Sequence, residues 1–394
     1  MDTRLTLGLC SIRIRGLTTN MSKITVLYNQ DYADKPDSFP GKKRLLSDLK
    51  EKISNKGSNQ TEMRGIRFEP GPTGDIHEHV ANQVQHILPE LMSGKIATCF
   101  GDSGNGLVLG AVDQIGRQHT QNTGAELSGL TENPIYLAPG GTYNHGPIAM
   151  GTDRLLEVAD FASNDTSAYT KQLVRMRNTR VVKNKIDDPE KTTEITDHPF
   201  FAFAGMFFDA YILDMNEKLG RKDGYIKNSF KVITNAMKDV FGSYPAPESK
   251  LRAFTTLPRW GMARFEPEVE SIGDEEIFLM ESEQAGPVGM LKIAAAVNII
   301  GASRNLLRKC LRYIKKEVEE GKEPAHTDVK GILRKFEPKK ITTFTEKFDP
   351  KLLGGLNYST DGFPHQINLA PDEEARLEIS TIPDSKVHIV RKVA

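Results

Sequence analysis

Residues 304–316, R-N-L-L-R-K-C-L-R-Y-I-K-K, contain no acid and repeat their cations at nearly fixed intervals. Arg304, Arg308, Arg312 and the Lys315–Lys316 pair recur about every four positions, with Leu306, Leu307, Cys310, Leu311 and Ile314 between them. At about 3.6 residues per turn, that spacing stacks the cations on one face of a helix and the apolar residues on the other. A segment so built docks along one flank and leaves a cationic stripe uncovered. Glu317, Glu319 and Glu320 follow at the helix C-terminus, where negative charge is disfavoured. The stripe therefore answers something other than helix stability.

A second acid-free block, K-Q-L-V-R-M-R-N-T-R-V-V-K-N-K at 171–185, collects Lys171, Arg175, Arg177, Arg180, Lys183 and Lys185. The whole chain balances 52 basic against 52 acidic residues, so bulk charge points to no partner and only local clustering informs. Cations in rows at this pitch suit a phosphodiester backbone, and the two blocks are expected to form opposite walls of one groove. The alternative is two solvated helix faces with acidic neighbours in the fold.

The length of 394 residues suggests two lobes. Residues 1–75 are polar, with short extended runs such as I-T-V-L-Y at 24–28, and read as an N-terminal arm. Apolar residues at Ile76, Val80, Val84, Ile87, Leu88 and Leu91 predict a helix. K-I-A-T-C-F at 95–100 reads as a strand, followed by the turn G-D-S-G-N-G at 101–106 and an apolar run. Turn residues across 131–152 (N-P, A-P-G-G, H-G-P) mark a hinge, so 76–150 forms the N-terminal lobe and hinge. Helices are expected over 153–182, over 197–220 (capped by Asp197, with Pro199 early), over 225–241 and over 286–320. These make 151–321 a helical core, and 322–394 a C-terminal arm. The expected architecture is mostly α, with two helical lobes, a cationic groove between them and extended ends.

Cys10, Cys99 and Cys310 lie far apart, which argues against a disulfide framework and fits a reducing compartment. No secretory h-region opens the chain, and the apolar stretch 199–215 carries Asp209 and Asp214, so no membrane span is expected. His77, His79 and His86 do not form H-E-x-x-H, and no metal site is expected. No G-x-x-x-x-G-K-[ST] occurs, so nucleotide hydrolysis has no motif to support it.

The stretch Y-I-K-N-S-F-K-V-I-T-N-A-M-K-D-V-F-G-S-Y at 225–244, with T-L-P-R-W-G-M-A-R-F, E-E-I-F-L-M-E-S and G-P-V-G-M-L-K-I-A-A-A-V further on, resembles the coat-protein core of potyvirus-type flexible filaments. Leu257–Met262 is similar to that family's P-R-Y-G-L-type turn, and Met290–Val297 to its last element. Lys231 stands where the family has its RNA-pocket arginine, and I-F-L-M-E-S replaces an A-F-D-F-Y-E block. The resemblance implies a viral coat or nucleocapsid subunit, not an enzyme and without cofactor, located in virions and host cytoplasm. Such a subunit polymerises along single-stranded RNA through sequence-independent phosphate contacts, its arms docking on neighbouring copies. Both cationic blocks, Lys231 and Arg259 would then neutralise phosphates, and Trp260 would stack on a base.

A rival chemistry lies in C-F-G-D-S-G-N-G at 99–106, which resembles the G-D-S block of SGNH-type esterases. Ser103 would be the nucleophile, Asn164 an oxyanion donor, and Asp361 with His365 the remaining relay, although their spacing is D-x-x-x-H rather than that family's D-x-x-H.

Overall fold

The computed structural model describes residues 23–35, 42–55, 61–69, 75–127, 129, 132–141, 144–162, 168–207, 210, 213, 251–257, 259–260, 263–264, 276–282, 339–348 and 356–393. From the N-terminus run β1 (Ile24–Asn29), α1 (Asp31–Asp34), α2 (Lys42–Asn55), β2 (Thr61–Ile66), α3 (Ile76–His86), α4 (Leu88–Met92) and β3 (Lys95–Phe100). Then come α5 (Asp102–Thr123), β4 (Ile135–Pro139), α6 (His145–Ala149) and α7 (Val158–Ala162). The strands that follow are β5 (Tyr169–Val174), β6 (Arg177–Lys185), β7 (Thr192–Phe200), β8 (Phe203–Phe207), β9 (Leu251–Thr255), β10 (Arg259–Trp260) and β11 (Ala263–Arg264). They continue with β12 (Ile277–Ser282), β13 (Lys339–Ile341), β14 (Thr343–Phe348), β15 (Leu356–Thr360), β16 (Phe363–Ile367), β17 (Glu373–Thr381) and β18 (Val387–Lys392).

The first sheet has the order β2-β1-β3-β4-β18-β5, parallel from β2 to β18 and closed by antiparallel β5. Its central strands, I-T-V-L-Y-N, K-I-A-T-C-F and I-Y-L-A-P, are nearly continuous apolar runs, as a sheet covered on both faces requires. Alternation along each strand divides them between two cores. Leu27, Ile96, Phe100, Leu137 and Ile389 pack with α3 and α5, while Val26, Ala97, Cys99, Tyr136 and Val390 pack with α2 and α7. Two antiparallel sheets, β14-β17-β6-β7 and β13-β12-β9-β8-β15-β16, enclose a third core. Val181, Leu377 and Ile379 face Met206, Phe254, Ile277, Leu279 and Tyr358 there. The chain leaves the first sheet after β5, builds this sandwich and returns as β18.

The fold is thus mixed α/β, which corrects the mostly-α expectation. The helix expected over 76–91 is two helices, α3 and α4, broken at Ile87, and the strand at 95–100 is present, but residues 153–182 hold a 3₁₀ turn at Leu155–Glu157, α7 and then strands among the described residues. The cationic block 171–185 is β5 and β6, with Arg177, Thr179 and Val181 turned inward at every second position. Its T-R-V-V centre favours a pleated surface, and charge spacing alone did not distinguish a period of two from one near four. Asp197–Phe200, expected to open a helix, end β7, and Phe203–Phe207 are β8. Ile24–Tyr28, expected in an arm, form the strand that β2 and β3 flank, and residues 339–392 supply β13 to β18. The helices expected over 225–241 and 286–320, with Lys231, Arg304, Arg308 and Arg312, lie outside the described residues.

Phe254 is fully buried between the sandwich sheets and meets the Phe344 ring edge-on at 4.8 Å. Phe254→Ala is expected to cost about 3–5 kcal/mol, read as a lower urea midpoint with an unchanged slope.

Candidate active site

Strand order reverses direction between β1 and β3, and in open α/β sheets the crevice beyond the carboxyl ends at such a point receives ligands. From those ends emerge Asn29–Asp31 after β1, G-D-S-G-N-G after β3 and Gly140–Gly141 after β4. Gly101 caps α5 in an extended conformation, so the helix starts at once with Asp102. The first-turn N–H groups of this 22-residue helix have no intrahelical acceptors, and its dipole places partial positive charge at the crevice. The two loops touch through backbone. A Cβ at Gly140 would overlap the Cys99 carbonyl, and one at Gly141 would overlap Gly101 Cα. The Gly140 N–H donates to the Phe100 carbonyl at 2.9 Å. The Gly140 carbonyl accepts from Tyr32 Oη at 2.6 Å and Lys42 Nζ at 2.7 Å. Burial lowers the Lys42 pKa, so this ammonium is partly stripped of water at the rim of the glycine loops.

Asp102 is buried, and its carboxylate serves as a cap for α6. Oδ2 accepts from the His145 N–H at 2.8 Å and lies 2.9 Å from His145 Nδ1, while Oδ1 accepts from the Gly146 N–H at 3.0 Å. One turn along α5, the wholly buried Asn105 accepts from Thr98 Oγ1 at 2.7 Å. Its Nδ2 has no hydrogen-bond partner among the described residues.

The other lobe contributes Asp361, from the two-residue turn between β15 and β16. Asp361 (φ 48°) and Gly362 (φ 85°) adopt the left-handed conformations that a tight hairpin needs, and T-D-G-F supplies residues that tolerate them. Asp361 Oδ1 accepts from the N–H groups of Ala202 at 2.7 Å and Phe203 at 2.9 Å, and Oδ2 from Phe201 at 2.6 Å. The carboxyl group lies against α5 at Gly106, where an added Cβ would stand 2.7 Å from Asp361 Cγ. Burial pushes the Asp361 pKa up to about 7 against the downward pull of the three N–H donors, and the nearby charge of Asp102 adds to the rise. The raised value means that Asp361 favours the fold while protonated, and that contribution is lost as pH climbs from the unfolded value near ~4 through about 7. The crevice thus combines a helix N-terminus and a cation for an anionic ligand with a buried carboxyl group able to take up a proton near neutrality.

The residues singled out by charge lie elsewhere. Arg180 pairs with Asp197 through Nε at 2.8 Å and Nη2 at 3.1 Å. Lys183 pairs with Glu194 and Lys185 with Asp372, each at 2.6 Å. Arg177 is 1% exposed and donates to the carbonyls of Arg175 and Glu276. Lys171 stands on β5 opposite Val390, and Arg175 between β5 and β6. Arg259 and Trp260 are the short strand β10, paired with β11. The 171–185 block therefore spans two sheets, three of its cations pair with acids of neighbouring strands and turns, and the described residues do not assemble a groove from it. Ser103 is the second residue of α5, but no esterase relay joins it. His365 Nε2 lies 2.7 Å from Thr360 Oγ1, and its ring stacks on His198 at 3.8 Å. Asn164 lies outside the described residues. Lys42, Asp102 and Asn105 were missed as site residues, although the strand–glycine–helix order of K-I-A-T-C-F-G-D-S-G-N and the A-P-G-G turn both carried the signal.

No family model matches the chain, and no curated protein matches it. Two similar solved structures are described as a candidate diacylglycerol kinase of Bacillus anthracis str. Sterne. One shares 11% identity at a TM-score of 0.41, covering 96% of this chain and 98% of that one, and the other 12% at 0.42, covering 96% and 99%. A third, described as a diacylglycerol kinase of the same strain, shares 10% identity at 0.34 over 96% and 98%. These are cellular enzymes by name, and no viral coat protein is among them. The mixed α/β fold, with a strand at Ile277–Ser282 inside a stretch that carried the coat-protein resemblance, corrects the expectation of a virion subunit built from helical lobes. At such TM-scores the likeness carries no argument about what this chain does.

Gly140→Ala drives a methyl group into the β3 backbone and is expected to cost about 1–3 kcal/mol in chemical denaturation. Gly116→Ala in α5, where an added Cβ meets nothing within 4 Å, is the control and is expected to stabilise by about 0.4–1 kcal/mol.

Proposed function

We propose that the chain is a phosphotransferase, a kinase that moves the terminal phosphoryl group of a nucleoside triphosphate to a hydroxyl acceptor. One observation carries this reading: a buried carboxyl group poised near neutral pH, Asp361, sits against the first turns of the helix that leaves the glycine-rich β3–α5 turn. The absence of a G-x-x-x-x-G-K-[ST] sequence speaks only against one type of phosphate cradle. A helix N-terminus beside glycines that admit backbone contact provides another.

In this reading the triphosphate lies along the Gly101–Gly104 and Gly140–Gly141 backbones, with Lys42 offsetting part of its charge. Asp361 takes the proton of the acceptor hydroxyl. The acceptor oxygen bonds to the terminal phosphorus, and the bond from that phosphorus to the bridging oxygen breaks, releasing the nucleoside diphosphate. Phosphoryl transfer asks for positioning and charge stabilisation more than covalent chemistry, which suits a site held by backbone groups and buried carboxylates. The divalent cation that accompanies such a nucleotide takes most of its ligands from phosphates and water. The activity named for the similar solved structures, diacylglycerol kinase, is one member of this class.

Incubation of the purified chain with terminally labelled ATP and a panel of alcohols, lipid and soluble, is expected to yield a labelled product. Asp361→Asn should lower kcat by about 10²–10⁴-fold while ATP binding by calorimetry changes less than about threefold. Absence of both ATP binding and transfer by the wild-type chain would remove the proposal. Because the ionised carboxylate is the base, kcat/KM should climb with pH through about 7 and level off above it, a profile that stopped-flow product release can measure.

A further inference from the structure

The rings of His77, His198 and His365 form one continuous stack. His198 and His365 lie 3.8 Å apart with planes 13° from parallel, and His77 also stacks on His198, at 5.2 Å and 28°. The three come from three elements. His77 opens α3, behind the Asp75 cap that accepts from its N–H at 2.8 Å. His198 stands on β7, an edge strand of one sandwich sheet, and His365 on β16, an edge strand of the other. Tyr358 on β15 closes the group, its hydroxyl 2.5 Å from His198 Nδ1 and its ring 4.9 Å from that of His365.

We propose that this stack is an uncharged aromatic tie between helix α3 and the β15–β16 hairpin, and that it positions Asp361 in the crevice, so that the three histidines are positioning residues for phosphoryl transfer. The inference rests on the kinase reading for its functional part. Among the described residues β16 pairs with β15 alone, so backbone pairing there holds the outer half of the hairpin from one side. His365 supplies the second attachment, and its Nε2 contact to Thr360 Oγ1 fastens the residue just before Asp361. Rings this close cannot share positive charge. Burial lowers the pKa of His198 to about 4 and holds His365 well below its ordinary value, each reinforced by the neighbouring ring. Burial lowers His77 as well. Burial also keeps the Tyr358 phenol protonated beside His198 Nδ1. The charged groups facing the stack are Asp75 from α3 and, from β7, Asp197 and Glu194, which are paired with Arg180 and Lys183.

The test compares full-length wild type with His198→Ala, which removes the middle ring, and His198→Phe, which keeps a ring and removes both nitrogens. The Asp361 carboxyl is titrated by carbon-13 NMR of aspartate-labelled protein, with Asp361→Asn giving the assignment. In His198→Ala a loosened hairpin admits water, so the Asp361 pKa should fall by about one pH unit or more. The Phe201–Phe203 amides should exchange at least about tenfold faster. ATP turnover should lose at least about tenfold in kcat with KM for ATP within about twofold, and His198→Phe should recover most of the loss. A folded His198→Ala in which the Asp361 titration and the amide exchange match wild type overturns the proposal. If they move but wild type neither binds nor turns over ATP, the tie stands and the kinase reading falls. Should His198→Ala not fold, His77→Leu, which removes only the outer ring, is measured in the same way. A shifted Asp361 titration with faster amide exchange then upholds the tie, and wild-type values for both overturn it.

Discussion

A single buried carboxyl group, that of Asp361, anchors the crossover of the sandwich where it lies against α5. Removing a carboxylate from water costs several kcal/mol unless hydrogen bonds replace the lost hydration. The replacement here comes from successive backbone N–H groups at Phe201, Ala202 and Phe203, the link where the chain passes from β7 in one sheet to β8 in the other. The side chain of one hairpin turn thereby fixes the crossover of the sandwich. Only because residue 106 is glycine does α5 approach the same carboxyl group. Hydration is replaced incompletely, since burial still outweighs the three donors. That imbalance leaves a base poised near neutrality instead of a permanently ionised structural acid.

Histidine and glycine answer opposite demands around this group. Glycines 104 and 106 make room on α5 for the side chains of Phe100 and Asp361, and glycines 101, 140 and 141 remove side chains where two backbones converge at the carboxyl end of the sheet. Away from it, three aromatic rings fill the space between sheet edges that hydrogen bonding does not close. Either device alone would leave Asp361 free to tilt, because the hairpin meets α5 on one face and the β7 edge on another.

Part of this was legible from short windows. The helical spacing over 76–91 and the strand at 95–100 depend on local pattern, and local pattern revealed them, although the helix breaks at Ile87 and α5 begins inside the expected G-D-S-G-N-G turn. T-D-G-F between L-N-Y-S-T and F-P-H-Q-I is a hairpin signal in its own right. Reading Asp361 and His365 as an acid–base pair hid it. The A-P-G-G turn was visible too, but a hinge and the end of a parallel strand use the same residues. The cationic block misled for a different reason. Glu194 and Asp197 neutralise Lys183 and Arg180 from 11 and 17 positions away, across the I-D-D-P-E-K turn, and Asp372 meets Lys185 from 187 away. Inside one window those cations looked unanswered. The poise of Asp361 was beyond any window, since the amides that bind it lie about 160 positions upstream and Asp102 further still.

Chain order supplies the remaining rigidity. The sandwich is inserted between β5 and β18, two strands that pair antiparallel over Val387–Lys392 at one side of the first sheet. Both crossings between lobes therefore start from adjacent, hydrogen-bonded strands, and neither is a free linker. A single tether would allow the lobes to swing and would carry Asp361 away from α5. Two tethers from one sheet edge restrict that swing. The Asp361 anchor on the β7–β8 link and the histidine stack on α3 then restrict what remains. A site assembled from two lobes in this way has its groups placed before any ligand arrives, and, for the phosphoryl transfer proposed above, pre-placement of charge and base is what a protein fold can contribute most directly.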